Sequence, residues 1–330
     1  FKQKTAYEML RSLVGSEMCI RDSFMYRSYK KLAVLITCCL TASLLQAQQV
    51  DLFKMQDSAN KATDKTITAG PVINTFYSTR LVNAHTVEIT GPGSMDFRIN
   101  HRFSPVNQGL YELFGLDGAS FRFGFDFGIA KDLMIGVGRT TYNKEYDGFI
   151  KYRLMHQSTG AGAMPLSIAV LGSAMYKTID LDTSLKATAT DRLTYVLQLM
   201  IARKFNEHTS VQISPTLTHY NRIIGFTGGS SDMLSIGFLA RQKVSKRISI
   251  NAEYFWQANR FNGTYDPLSI GVDIQTGGHV FQLHFTNSIG MNEHAFIHET
   301  TGSWGNGAVR WGFNISRIFN ISSKNKKGNW

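Results

Sequence analysis

The segment of residues 287–305 gathers side chains of the kind that bind metal ions. Its acidic and imidazole residues are Glu293, His294, His298 and Glu299. The two histidines are four positions apart, so a helical turn would place both imidazoles on one face, as in many zinc sites. The zinc-hydrolase pattern also needs glutamate directly after the first histidine, where this chain has Ala295. We therefore expect a solvated loop with no metal and no cofactor.

A serine nucleophile beside a histidine would be the second kind of chemistry, suited to a lipid-modifying enzyme. The nearest grouping is Ser214, His219 and Asn221. Residues five apart on a strand point to opposite faces, so Ser214 and His219 cannot meet. The sequence also contains no nucleophile elbow, no glycine-rich phosphate loop and no nucleic-acid module. We expect no enzymatic activity and no nucleic-acid partner, and a lipid-modifying enzyme remains a third-ranked alternative.

Charged and polar side chains also recur on one face of alternating segments. The candidate lining residues are Arg98, Arg102, Arg122, Asp126, Lys151, Arg153, Glu253, Gln282, His284 and Arg310. Polar groups that leave bulk water need partners or hydration, so this set predicts either a paired internal network or the wall of a narrow water-filled path. Five of the cations fall on the predicted first, second and fourth strands, where only Asp126 obviously offsets them. A path lined in this way would favour small anionic solutes.

Period-two alternation supplies the scaffold for these side chains. Within residues 121–129, phenylalanine and isoleucine alternate with Arg122, Gly124, Asp126 and Gly128, and only a strand separates those two sets. Twelve such segments span residues 93–103, 119–129, 133–142, 148–156, 165–177, 191–203, 209–220, 232–241, 248–258, 268–275, 279–286 and 306–319. Most have the length that a tilted membrane strand requires, about nine to eleven residues. The sequence predicts an all-β fold, a transmembrane antiparallel β-barrel of about twelve strands.

The connections between these strands set the orientation. The predicted outer connections are residues 104–118, 143–147, 178–190, 221–231, 259–267 and 287–305. The predicted inner turns are residues 130–132, 157–164, 204–208, 242–247 and 276–278. Long loops outside and short turns at the periplasm are typical of barrels in the bacterial outer membrane. Tyr176, Tyr195, Trp256 and Trp311 fall on the predicted lipid face near the outer strand ends, where aromatic rings prefer the headgroup level.

The ends of the chain have a different character. The expected organisation is a non-native prefix resembling sequencing-adapter read-through at residues 1–24, a signal peptide at 25–47, a leader, extra strand or plug at 48–92, the barrel at 93–319 and a tail at 320–330. All three cysteines precede the expected cleavage after Ala47, so we expect no disulfide and no thiolate site in the mature protein. The formal net charge of +11 is spread along the chain instead of clustering on one helix.

Six stretches resemble a family of outer-membrane β-barrels, mostly from Bacteroidetes, that is known only as a domain of unknown function. They are residues 80–87 (RLVNAHTV), 95–103 (MDFRINHRF), 111–117 (YELFGLD), 134–139 (MIGVGR), 146–154 (YDGFIKYRL) and 278–287 (GHVFQLHFTN). Together they cover most of residues 76–319. The resemblance implies a barrel in the outer membrane of a Gram-negative bacterium and no particular activity.

The sequence thus predicts a porin-like narrow channel or a structural envelope protein. An import barrel for a small hydrophobic or anionic ligand is the alternative, with residues 104–118 and 287–305 as a lid. The expected partners are the outer-membrane lipid, the barrel-assembly machinery and a small solute.

Overall fold

Residues 70–181 and 185–322 are described by the computed structural model, and they are dominated by β-structure. The strands are β1 (Gly70–Pro71), β2 (Ser94–Pro105), β3 (Ala119–Ala130), β4 (Leu133–Thr140), β5 (Glu145–Met155), β6 (Ser158–Thr159), β7 (Ser167–Lys177), β8 (Leu193–Lys204), β9 (Thr209–Tyr220), β10 (Asp232–Lys243), β11 (Ile248–Gln257), β12 (Leu268–Thr276), β13 (His279–Thr286) and β14 (Arg310–Asn320). One short α-helix, α1, spans Glu293–His298. The expected prefix, the signal peptide, residues 48–69 and residues 323–330 lie outside the described residues.

Twelve of these strands close into an antiparallel barrel. Strands β2 to β5 and β7 to β14 follow one another in chain order, and pairing of β14 with β2 completes the ring. The two-residue strands β1 and β6 pair separately. The predicted barrel and its strand number are therefore confirmed. Among the residues that the structure describes, no helix has the length and apolar character needed to cross a membrane.

The start of β5 differs from the prediction. The sequence pattern predicts an outer connection at residues 143–147, but β5 begins at Glu145, and the turn before it is a short 3₁₀ segment at Tyr142–Lys144. Glu145 pairs in register with Lys177 of β7. Both Glu145 and Asp147 are buried. In a single sequence, acidic residues beside a turn usually indicate a loop. In the structure, cations from other elements stabilise Glu145 and Asp147 inside the barrel.

The two faces of the barrel wall follow the predicted alternation. On β3, Arg122 and Asp126 are buried, whereas Phe123 and Phe125 are 40% and 39% exposed on the outer face. Tyr195 and Trp256 are also exposed on the outer face. Because outward side chains in the central band of a membrane barrel meet lipid, this apolar face is the surface that contacts the bilayer.

Two glycines make room for the largest side chain on β3. A Cβ atom at Gly124 would lie 2.6 Å from a guanidinium nitrogen of Arg122, and one at Gly138 would collide with the same group. Gly138 stands on β4, which is the neighbouring strand. The Arg122 side chain can therefore lie flat along the inner wall towards β5.

The outward face of β3 gives the first prediction. Phe123→Arg places a cation on the lipid face near the middle of a strand, which costs about 2–4 kcal/mol and should prevent assembly. Ile129→Arg is the matched control, since it changes the same face of the same strand near its end, where the expected cost is about 0–1 kcal/mol. Heat-modifiable gel mobility after refolding reports assembly. Equal folding of the two variants would contradict the assigned membrane depth.

Candidate functional site

The interior of the barrel contains the chain segment that precedes β2. Glu253, on β11, accepts hydrogen bonds from the backbone N–H groups of Val82 (3.2 Å), Asn83 (3.0 Å) and Ala84 (3.1 Å). The Asn83 side-chain amide donates a further bond to the same carboxylate at 2.7 Å. Successive backbone N–H groups that converge on one anion form a nest. Glu253 therefore fixes the tip of this segment, and we call residues 74–90 the plug.

Other wall residues satisfy the irregular backbone of the plug. Gln212, on β9, accepts from the Val87 N–H at 3.0 Å and donates to the His85 carbonyl at 2.8 Å. Lys151, on β5, donates to the Thr86 carbonyl at 3.1 Å. A buried backbone without helix or sheet pairing needs such partners for its N–H and C=O groups. The partners come from separate strands around the ring, so the plug lies within the barrel.

Strands β13, β14 and β2, which follow β11 and β12 around the ring, contact the plug through further polar groups. Asn314, on β14, donates to the Val82 carbonyl at 2.8 Å, and Gln282, on β13, donates to the Leu81 carbonyl. Arg102 bonds the Asn83 side-chain oxygen. These contacts and those of Glu253 hold the same turn of the plug from several sides.

The arginines of β2 and β3 are compensated by acidic groups that the sequence analysis did not count. Arg98 lies 3.3 Å from Asp96, and Arg122 makes a two-point ion pair with Asp147 that includes a 2.9 Å bond from Nε to Oδ1. The expectation that only Asp126 offsets these cations is wrong, because Asp96 and Asp147 also point inward.

Buried charges on the described strands are equal in number. The buried cations are Arg98, Arg102, Arg122, Lys151, Lys177 and Arg241, and the buried acids are Asp96, Asp126, Glu145, Asp147, Glu253 and Asp273. A charge in a low-dielectric interior is tolerated when it is paired and hydrogen-bonded. The described part of the lumen is thus a balanced network instead of a basic wall.

The remaining candidate residues lie apart from the plug contacts. Asp126 and His284 are buried, and neither side chain has a hydrogen-bond partner among the described residues. Arg153 lies at the short-turn end of the barrel, 3.0 Å from Asp132. Arg310 lies at the long-loop end and donates to a backbone carbonyl. The structure therefore brings five of the ten candidates into contact with the plug, namely Arg98, Arg102, Lys151, Glu253 and Gln282, and leaves the other five, including Arg122, outside the plug contacts.

The segment with the two histidines is buried, so the expectation of a solvated loop is wrong. All six residues of α1 are buried. His298 is hydrogen-bonded to Gln257 at 2.9 Å and to Thr218 at 3.1 Å, and Phe296 packs edge-on against Phe255. The loop containing α1 therefore folds into the long-loop end of the lumen, where wall side chains replace water as partners of its polar groups.

Glu293 joins this loop to the plug. Its carboxylate lies 2.8 Å from Arg80 Nη1 and 3.2 Å from His85 Nε2, and these three side chains are almost completely buried. Burial alone would raise the pKa of Glu293, but the Arg80 guanidinium and His85 hold that pKa well below its usual range. Two internal segments thus meet through an ionised carboxylate.

Arg80 and Asn83 were missed in the sequence analysis, and Glu293 was considered there only as part of a solvated loop. Arg80, Asn83 and Glu293 lie outside the alternating strands, so the period-two pattern gave no signal for them. The family resemblance over residues 80–87 was a usable signal for the plug, because these residues lie upstream of the first barrel strand. By contrast, Ser214 and His219 lie on opposite faces as predicted: Ser214 is buried and His219 is exposed beside Asp232.

Comparisons with known proteins give a family match and several weaker structural similarities. The family model described as "Membrane bound beta barrel domain (DUF5777)" matches residues 76–319, a range that includes most of the plug. No curated protein sequence matches the chain. Three solved structures similar to the chain are porins or outer-membrane proteins, and each match covers 68% of this chain.

The first of these structures is the KdgM porin, with 10% identity, 99% of that chain covered and a TM-score of 0.40. The second is the NanC porin, with 6% identity, 98% covered and a TM-score of 0.42. The third is Omp33 of Acinetobacter baumannii, with 7% identity, 98% covered and a TM-score of 0.36.

The ion pair between Arg122 and Asp147 gives the second prediction. Arg122→Gln leaves a buried carboxylate without its main partner, and we expect a loss of about 3–5 kcal/mol in unfolding free energy. Arg153→Gln is the control, because its pair with Asp132 is partly exposed and should contribute about 0–1 kcal/mol. Urea unfolding in detergent micelles measures both losses. Equal losses would contradict the burial of the Arg122 pair.

Proposed function

Because the chain belongs to the family of membrane-bound β-barrel domains, we propose that it forms a channel across the bacterial outer membrane and that its resting state is closed. The outward apolar face contacts the outer-membrane lipid, and insertion by the barrel-assembly machinery is part of this proposal. No catalytic step is included.

The observation that carries this proposal is the polar wall behind the plug. The described strands bury six cationic and six acidic residues on their inner face, whereas a barrel filled only for stability would be expected to bury apolar side chains there. The plug precedes β2 and is not part of the barrel sheet. The sheet can therefore stay intact when the plug moves, and the wall that remains is suited to water.

The charges uncovered by plug movement favour anions. Asp96 stays beside Arg98, and Asp147 stays beside Arg122. Lys151 has no carboxylate within ion-pair distance in the described part of the chain, and it contacts the Thr79 and Thr86 carbonyls of the plug.

Arg102 likewise contacts the plug and makes no ion pair among the described residues. Its contacts are with Asn314 of the wall, the His101 carbonyl and Asn83 of the plug. Among the described wall charges outside ion pairs, those hydrogen-bonded to the plug are Arg102, Lys151 and Glu253, whereas Asp126 and Asp273 are buried without a bond to the plug. The cation excess is therefore limited to the part of the wall directly behind the plug. The proposed solutes are therefore small anions.

A closed structural barrel is the second candidate function, and an apolar cluster inside the lumen favours it. Phe76, Leu81 and Val87 of the plug pack with Phe149 of the wall and Phe296 of α1. Apolar burial on this scale opposes plug movement.

The import alternative predicted from the sequence had residues 104–118 as part of a lid. In the structure, Leu110 and Tyr111 of that loop are exposed.

The third prediction separates these candidates. Glu253→Ala removes the acceptor of the plug nest, and each 1.4 kcal/mol lost from the closed state makes opening about tenfold more frequent. We expect rare openings for the unmodified protein in planar bilayers and at least about tenfold more for the variant. Glu207→Ala, which removes an exposed acidic residue in a short turn, is the control and should behave as the unmodified protein.

Reversal potentials in a salt gradient should show anion selectivity, which Arg102→Gln combined with Lys151→Gln should reduce. Absence of conductance in a folded Glu253→Ala variant would favour the closed structural barrel, and cation selectivity would contradict the proposed solute class.

A further inference from the structure

Three metal-type ligands converge where the barrel wall meets the loop containing α1. Glu145 begins β5, His294 lies on α1 and Glu299 directly follows α1. Each offers one ligand atom, and these three atoms all lie within 4.8 Å of one another. The side chains are fully buried. One ligand thus comes from the wall and two come from the internal loop.

The distances fit shared metal coordination better than direct hydrogen bonds. His294 Nε2 lies 3.4 Å from Glu145 Oε1 and 3.5 Å from Glu299 Oε1. Charge-assisted N–H···O bonds are shorter, about 2.7–2.9 Å. A tetrahedral site with metal–ligand distances of about 2.0–2.1 Å has ligand–ligand edges of about 3.3 Å. The two observed separations are close to that edge.

Unsatisfied polar atoms around the same point provide an independent observation. Neither ring nitrogen of His294 makes a hydrogen bond within the described ranges, and the same holds for the Tyr220 hydroxyl and the Asn292 side-chain oxygen. The Tyr220 ring packs edge-on against the His294 ring at 5.7 Å. Buried polar atoms almost always have a partner, and a bound ion would supply one to a ring nitrogen of His294.

We propose that Glu145, His294 and Glu299 bind a divalent transition-metal ion of the Zn²⁺ type. One imidazole and two carboxylates form a nitrogen–oxygen donor set that suits such an ion, and the fourth position is left to water. The bound ion joins β5 to the internal loop and stabilises the loop inside the lumen. This inference does not depend on channel function.

Lys177 limits the affinity of this site. Its Nζ lies 2.9 Å from Glu299 Oε1 and 3.9 Å from Glu145 Oε1. The ammonium therefore competes with a metal ion for the same oxygens and has to move aside when the ion binds. His298 is not a ligand, because both of its ring nitrogens are already hydrogen-bonded to wall side chains.

Zinc titration of the refolded chain tests the proposal. The protein is untagged, Cys19, Cys38 and Cys39 are replaced by serine to remove competing thiols, and prior metal is removed with EDTA. Calorimetry and metal analysis should give one Zn²⁺ per chain. His294→Ala and Glu299→Gln should each weaken binding by at least about 100-fold, more than an outer-shell change causes. His208→Ala, at an exposed histidine, should leave it unchanged.

A further variant distinguishes a metal site from a self-sufficient ion-pair network. Lys177→Met should strengthen zinc binding by about tenfold or more, because no ammonium competes for the oxygens. Heat-modifiable mobility establishes that each variant is folded. The proposal is overturned if the unmodified protein binds no zinc in a one-to-one ratio, or if folded His294→Ala binds it as tightly as the unmodified protein.

Discussion

Charge compensation inside the barrel is the constraint on which the rest of the structure depends. The alternation that turns phenylalanines towards lipid turns arginines, lysines and acids into a space shielded from bulk water. An unpaired charge there is costly, so nearly all of these side chains have a partner on the wall or on an internal segment, and Asp126 is the exception among the described residues. Arg122 finds Asp147 on a neighbouring part of the wall, whereas Glu253 finds its donors on the plug. The plug is therefore part of the charge balance of the wall.

The plug and the loop containing α1 stabilise each other because they carry side chains of opposite charge. The plug carries Arg80 and His85, the loop containing α1 carries Glu293, and their contact joins them in the lumen. Around this polar contact, Phe76 and Phe296 belong to one apolar cluster with wall residues. Polar contacts set the position of the segments, and apolar contacts add non-directional stabilisation. Displacement of the plug would disrupt both kinds of contact, so both would stabilise the proposed closed state.

The sequence was informative where contacts are local and periodic. The alternation around Arg122 and Phe123 predicted the barrel, its strand number and the facing of its side chains, because facing depends only on position along a strand. It was misleading at Asp147, His294 and Glu299, whose charged side chains are typical of solvated loops. Their burial depends on partners far along the chain, such as Arg122 and Lys177, and a single sequence does not show those pairings. The period-two pattern did not predict the plug for the same reason, because the plug backbone bonds to wall side chains and not to a neighbouring strand.

Thiol accessibility of the plug tests the central claim most directly. In a background without native cysteines, Ala84→Cys places a thiol on a buried plug residue whose backbone N–H bonds Glu253, and His208→Cys places one in an exposed turn. If the plug fills the lumen, a water-soluble maleimide should label the residue 208 thiol rapidly and leave the residue 84 thiol protected in the folded protein. Adding Glu253→Ala to the Ala84→Cys protein should then expose the residue 84 thiol to labelling. Equal labelling of both thiols in folded protein without that change would contradict a barrel closed by residues 74–90.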